Sequence, residues 1–274
     1  MYALQKKIED LWPLPTKSST FNLSVRDLTF TVLFYLVFRC LGKYWYALIP
    51  LVAYEPAPLL FPMNVAYSLF LRSQRFWDPY AIEPRLHLLQ KHFKEIREET
   101  LGVLNEMMPF SDVSVHQKRI SQNQPWNVFP LFALGATNIR NCKKMPFTSS
   151  ILLQIPTVKF AMLSCMEGGA EIPKHCGYMK SVLRVHLCVH TDEDDPDQKR
   201  YIDVGGEKYS WKQGDMVAFD DTYPHYVSNG VKGKRVVLFL DVERPGTSSW
   251  IHSIMARSPT IQKHAALQEL QIKK

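Results

Sequence analysis

No CxxC pair, no HExxH and no run of five Lys or Arg residues occurs in this 274-residue chain. Each absence removes a class of function. The five cysteines, Cys40, Cys142, Cys165, Cys176 and Cys188, are odd in number and unpaired in spacing. Neither a disulfide framework nor a zinc module is expected, and a reducing compartment suits the chain. Without HExxH there is no zinc-hydrolase signature, in which a helical Glu works beside two metal-binding histidines. Without a basic block or a nucleic-acid motif, the net charge of +7 is a general preference for anionic partners, and no nucleic acid is expected among them. Residues 1–27 are polar and mixed in charge, so no secretory signal is expected there. The acidic run Asp192–Asp197 lacks the glycine and terminal Glu of a calcium loop and reads as a solvated turn. With 46% hydrophobic and 22% charged residues, wholesale disorder is excluded too.

Long apolar runs are also missing, but short ones are not. Leu28–Phe38 is almost wholly apolar and is followed by Arg39 and Lys43; Tyr44–Tyr54 is a second run; Pro56–Phe70 is a third, broken by Pro58, Pro62 and Asn64. None reaches the roughly 20 apolar residues of a comfortable spanning helix. Tyr44, Trp45 and Tyr46 beside Lys43 have the composition of an interfacial anchor. Residues 1–76 are therefore expected to be an apolar helical region held at a membrane, monotopic or re-entrant, with the rest of the chain on the cytoplasmic side. The competing reading is a set of buried core helices.

Residues 77–250 have a different character. Leu86, Leu89, Phe93, Ile96, Leu101 and Leu104 recur at spacings of three to five among Lys and Glu, which predicts an amphipathic helix from about Pro84 to Leu104 on the outside of a sheet. Residues 111–127 are polar and read as a loop. Short β-rich runs follow: Val158–Cys165, Ser181–His190, Tyr201–Val204, Lys208–Trp211, Asp215–Phe219, His225–Ser228 and Lys234–Val242. Gly205-Gly206 marks a hairpin and Gln213-Gly214 another turn. Many close strands without intervening helices predict an antiparallel sandwich or small barrel. Residues 251–274 are expected to be a tail or helix. His175, His186, His190 and His225 all fall at strand ends or beside turns; several neutral imidazoles so placed are a candidate site for iron, copper or zinc.

The residues around those histidines are specific. His175-Cys176-Gly177 is followed after five residues by Leu183-Arg184-Val185-His186-Leu187, then Gly214-Asp215, Phe219 to His225, Arg235 and Asp241-Val242-Glu243-Arg244-Pro245. From roughly Trp77 to Pro245 the chain resembles the aspartyl/asparaginyl β-hydroxylase family of iron(II)/2-oxoglutarate dioxygenases. The resemblance implies a double-stranded β-helix: a jelly-roll, cupin-like barrel, mainly β with flanking helices. It also implies Fe(II), with 2-oxoglutarate and O2 as cosubstrates. Position by position, His175 and His225 match the iron ligands, Arg235 the partner of the distal 2-oxoglutarate carboxylate, Ser164 its hydroxyl helper, and Arg184 with His186 the pair at the carboxylate next to the keto group. An arginine fork suits a fixed carboxylate better than a lysine does. Where the wider group of iron(II) oxygenases carries a carboxylate two residues after the first histidine, this chain has Gly177. A water, or Asp220 or Asp221 reaching in, is left to fill that place, although the two aspartates are expected to cap the turn before His225 or to orient it.

For substrate, the resemblance offers a lipid acyl chain or a peptide Asp/Asn side chain. The apolar N-terminal region, the wording of Gly206–Trp211 and of Asp241–Pro245, and the positive charge favour lipid; Gly177 is the choice of the peptide hydroxylases. A non-catalytic cupin-like binding module is the alternative from another class, opposed by retention of His175, His225 and Arg235.

Overall fold

A computed structural model describes residues 23–42, 44, 59–112, 124–133, 136–247, 252–253 and 256. The apolar run after Tyr44, most of the expected 111–127 loop and nearly all of the C-terminal tail lie outside the described residues.

Two antiparallel sheets face each other. The strands are β1 (Phe76–Trp77), β2 (Met108–Pro109), β3 (Trp126–Ala133), β4 (Ala136–Thr137), β5 (Val158–Met166), β6 (Glu171–His175), β7 (Val182–Thr191), β8 (Arg200–Val204), β9 (Glu207–Ser210), β10 (Met216–Phe219), β11 (His225–Asn229) and β12 (Arg235–Glu243). The larger sheet runs β1-β10-β7-β12-β5-β3-β2, with β4 on β3, and the smaller runs β6-β11-β8-β9. From β5 onward the chain crosses from one sheet to the other at each connection, except at the β8–β9 hairpin. This eight-strand winding is a jelly roll, as the resemblance implies. The hairpin is set by Gly205 and Gly206, whose φ values of +57° and +89° fall where side chains are disfavoured.

Strand alternation gives the larger sheet two buried faces. Leu183, Val185 and Leu187 of β7, Leu238 and Leu240 of β12, and Ala161 and Leu163 of β5 pack outward against helices. Their neighbours in sequence, Cys188, Val237, Phe239, Met162 and Met166, face Ile172, Ile202, Val204 and Val227 of the smaller sheet. Because side chains alternate along a strand, any polar residue on the second face is carried into the interior between the sheets. That is how the site is built.

Seven helices are described: α1 (Val25–Leu41), α2 (Leu60–Phe70), α3 (Pro79–Ile82), α4 (His87–Lys91), α5 (Phe93–Val103), α6 (Ile139–Lys144) and α7 (Pro146–Leu153). The predicted helix over 84–104 packs outside the sheet as expected, through Leu86, Leu89, Ile96 and Val103. It is not continuous. A 3-10 turn over Pro84–Leu86 leads into α4, and His92, at φ −104° and ψ 30°, separates α4 from α5. The apolar stripe keeps its spacing across the break, so periodicity reads straight through it. Residues 126–127, expected as loop, begin β3.

The Leu28–Phe38 run is the middle of α1, and the third apolar run contains α2. Among the described residues no helix is long and apolar enough to cross a membrane.

Candidate active site

β6 and β11 pair so that His175 stands opposite His225, with ring centroids 4.1 Å apart. The Nδ1 of His175 lies 2.8 Å from the Pro173 carbonyl oxygen, and that of His225 2.9 Å from the Tyr223 carbonyl oxygen. A carbonyl only accepts, so each Nδ1 carries a hydrogen, and in a neutral ring so tethered the lone pair is on Nε2. This is the tautomer, and the backbone tether, that metal-binding histidines use. His225 is buried, and burial, with the His175 ring next to it, holds its pKa well below the usual value. It is neutral at physiological pH and able to ligate.

The turn before His225 separates the two neighbouring aspartates. Asp220 caps it as expected: its Oδ1 accepts from the Thr222 amide at 3.1 Å and the Thr222 hydroxyl at 2.5 Å. Its Oδ2 accepts from the Ser73 hydroxyl at 3.4 Å and pairs with Arg244. Burial works against this carboxylate, but Arg244, Lys180 and Thr222 outweigh it and hold its pKa down. The Asp221 side chain does not share that capping role, but its backbone hydrogen-bonds His225, which is the orienting role the sequence left open. Its carboxylate fills the space a side chain at 177 would take: a Cβ on Gly177 would lie 2.2 Å from Oδ2 and 2.3 Å from Oδ1. The Gly177 amide also donates to the Asp221 carbonyl at 2.7 Å. Gly177 is glycine because Asp221 occupies its place. Burial pushes Asp221 up to about 6 against the pull of Arg184, whose Nη1 is 3.0 Å from Oδ2. Oδ1 is buried with no hydrogen-bond partner. Among the described residues no three His, Cys, Asp or Glu side chains converge as a complete metal cage; two imidazoles stand together, and a carboxylate takes the side-chain space at 177.

Further into the interior lies a group of buried donors without protein partners. Arg235, 2% exposed, leaves Nε and Nη1 unpaired, as His186 does Nδ1 and Nε2 and Trp211 its Nε1. The Arg235 guanidinium lies 4.0 Å over the Trp211 ring. The His186 ring is 5.9 Å from Trp211 and 5.1 Å from Phe219, and Phe219 is 5.9 Å from His225. These rings form a continuous line from Arg235 to the iron-ligand candidates. Burial lowers Arg235 only to about 10, so it stays charged at neutral pH. A buried cation with unused donors is costly unless an anion meets it. Ser164 is diagonal to Arg235 across the β5–β12 pair, and its hydroxyl accepts from Trp126 Nε1 at 2.8 Å. A compact dicarboxylate reaching from Arg235 toward the histidines fits this donor set.

Arg184 faces the same interior, but its guanidinium is already shared between Asp221 and Asp241, with Nε 3.0 Å from Asp241 Oδ1, and lies 4.3 Å over Phe239. Of the pair expected at the keto end, His186 has open ring nitrogens and Arg184 is committed to carboxylates. His190 lies elsewhere, 2.9 Å from Asp192 at the end of β7. Trp126 of β3 and Trp211, the residue after β9, were not singled out as site residues from sequence; a tryptophan in or beside a strand was the available signal.

Residues 90–245 match the model of the aspartyl/asparaginyl beta-hydroxylase family. The chain belongs to that family. The match contains every residue of the site. It is 35% identical over 170 residues to the ornithine lipid ester-linked acyl 2-hydroxylase of Rhizobium tropici, covering 61% of this chain and 58% of that protein. It is 25% identical to the human aspartyl/asparaginyl beta-hydroxylase over 64% of this chain and 23% of the human protein. The similarity thus spans little more than half of the rhizobial relative and about a quarter of the human one. Among solved structures, a Pseudomonas putida prolyl-4-hydroxylase aligns at 13% identity with a TM-score of 0.38, over 56% of this chain and 88% of that one.

Proposed function

We propose that this protein is an Fe(II)- and 2-oxoglutarate-dependent hydroxylase acting on a lipid acyl chain. The observation that carries the reading is the shared interior. Two histidines, each tethered through Nδ1, stand at one end of a line of rings, and a buried arginine with unused donors stands at the other. His175 and His225 would hold the iron, with Asp221 taking the side-chain space at Gly177. Arg235 and Ser164 would fix the distal carboxylate of the cosubstrate, and His186 would meet its other end. When bound, iron and cosubstrate supply the oxidising power that places one oxygen atom of O2 in a C–H bond. The protein's own part is positioning: rings and strands exclude water, and the Arg235 charge fixes the orientation of the dicarboxylate.

The acyl-chain assignment is supported by the similarity to the rhizobial acyl 2-hydroxylase and by the exposed apolar side chains of α1 and α2. The test is succinate formation from 2-oxoglutarate by protein loaded with Fe(II), with bacterial membrane lipid or an Asp/Asn-containing peptide pool added separately. Activity stimulated by lipid, with lipid product heavier by one oxygen and abolished in His175→Ala and His225→Ala, is the expected result. Stimulation by peptide alone transfers the reading to peptidyl hydroxylation. No succinate with either pool, and no iron retained, leaves a non-catalytic binding module.

A further inference from the structure

Helices α1 and α2 are built inside out. α1 buries Arg26 and Asp27 and exposes Leu28, Phe30, Val32, Leu33, Tyr35, Leu36 and Val37. α2 buries Asn64, 2% exposed, and Ser68 along with Leu60 at its first position, while Leu69 is 60% and Phe70 84% exposed. A helix packed on a water-soluble core does the reverse. The exposed side chains of α1 are spread over roughly two thirds of its circumference at 100° per residue; α2 packs at the edge of that arc, where Phe30, itself 37% exposed, stacks on Phe61 at 4.4 Å. A protein partner needs one stripe, but a fluid apolar medium wets the whole surface. The only acid on either helix, Asp27, is buried on Arg26 at 3.1 Å, and the exposed charges near their ends are Arg39 and Arg72. That charge pattern suits anionic headgroups. At 17 residues, α1 is about 26 Å long, short of spanning the bilayer.

The polar base of this pair is tied to the loop that follows His175. Arg26 Nη2 donates to the Gly177 carbonyl at 3.1 Å, and its guanidinium lies 4.6 Å over the Tyr178 ring. Asn64 uses both ends of its amide: Nδ2 donates to the Tyr178 carbonyl at 2.8 Å, and Oδ1 accepts from the Lys180 amide at 3.0 Å. We propose that α1 and α2 form a foot immersed in an anionic phospholipid surface, and that its polar base fixes the height and tilt of the iron-site loop above that surface. An acyl chain then reaches the histidines without leaving the bilayer. The delivery half of this inference rests on the lipid-hydroxylase reading; the immersion half does not.

The test separates them. Full-length protein is floated with phosphatidylglycerol/phosphatidylethanolamine vesicles. Wild type is expected to float, and Leu33→Glu/Leu36→Glu to lose partitioning by about a hundredfold or more. Leu153→Glu, at an apolar residue exposed on α7, is expected to float as wild type does. As a check that needs no disruptive variant, the added fluorescence of Tyr35→Trp is expected to be quenched by bromine carried on the acyl chains. Wild type remaining at the bottom of the gradient, or an unquenched Tyr35→Trp, overturns the proposal. So does a double variant that only converts a vesicle-free dimer to monomer, since the surface then belongs to a second copy of the chain. Flotation without any hydroxylated lipid retains the foot and removes the acyl-chain reading.

Discussion

The foot of α1 and α2 and the interior between the sheets both bury polar side chains, yet they treat them differently. At the foot, the Asn64 amide is satisfied at both ends by backbone of the 177–180 loop, and a single nitrogen, Arg26 Nη1, is left without a partner. On the outer helical layer, Glu83 is likewise satisfied by Arg85 and Thr157. Between the sheets, Arg235, His186 and Trp211 keep buried nitrogens that nothing in the protein meets. Unmade hydrogen bonds in a folded interior are expensive. A satisfied buried group is a joint, whereas a cluster of unsatisfied ones marks where a ligand completes the structure. The contrast can be tested from both sides, because removing a joint is expected to cost stability and removing an orphan to cost binding.

The largest effect is expected at Arg235. Arg235→Met should weaken 2-oxoglutarate binding by about a hundredfold, the loss of charge-assisted hydrogen bonds worth about 3 kcal/mol, while the unliganded protein melts no lower than wild type because a buried unpaired charge has gone. A large drop in melting temperature in Arg235→Met would make the arginine a joint and dissolve the contrast.

Gly177 comes next. Gly177→Ala forces a methyl group into the Asp221 carboxylate and should destabilise by about 1–3 kcal/mol. Gly177→Asp, which restores the carboxylate position of the wider group of oxygenases, should fare worse, since two carboxylates then compete for one space. Adding Asp221→Gly should recover stability and iron binding relative to Gly177→Asp alone. A double-mutant cycle with no coupling would show that the two positions do not share that space.

Asn64→Ala is expected to lower unfolding free energy by about 1–3 kcal/mol, because the Lys180 amide and the Tyr178 carbonyl lose their partner. Binding of 2-oxoglutarate should be unchanged; a parallel loss of affinity would tie the foot to the cosubstrate site directly.

The smallest effect concerns pH. The Arg85 hydrogen bond, with help from Thr157 and against burial, lowers Glu83 from the ordinary 4.5 to about 2. Its folded-state pKa lies below the unfolded one, so its contribution is present above about pH 4.5 and is lost as pH falls toward 2. Thermal melts across that window should show Glu83→Gln losing less stability on acidification than wild type does. Equal acid sensitivity would show that Glu83 adds nothing there.

Much of this molecule was legible before its structure. The strands from β7 to β12 follow from β-rich runs and glycine turns, and the two iron-ligand candidates from the blocks around them. β3 was hidden because it follows a polar stretch and carries Pro130, beside which its register with β5 shifts; a proline at such a bulge reads as a break. β6 was hidden because its EIPKH sequence is short and polar. The division of labour between Asp220 and Asp221 could not be read from adjacent letters, since only the turn decides which one reaches Gly177. Asn64 did leave a signal, a lone amide inside an apolar run, but its partners lie more than a hundred residues away.

The central claim is that one interior holds iron at His175 and His225 and a dicarboxylate at Arg235. Anaerobic calorimetric titration of 2-oxoglutarate into Fe(II)-loaded protein tests it most directly. The account predicts a single saturable site in wild type, weakened by about a hundredfold in Arg235→Met and lost with the iron in His225→Ala. Equal affinity in wild type and Arg235→Met, or saturable binding that persists unchanged without His225, would contradict it.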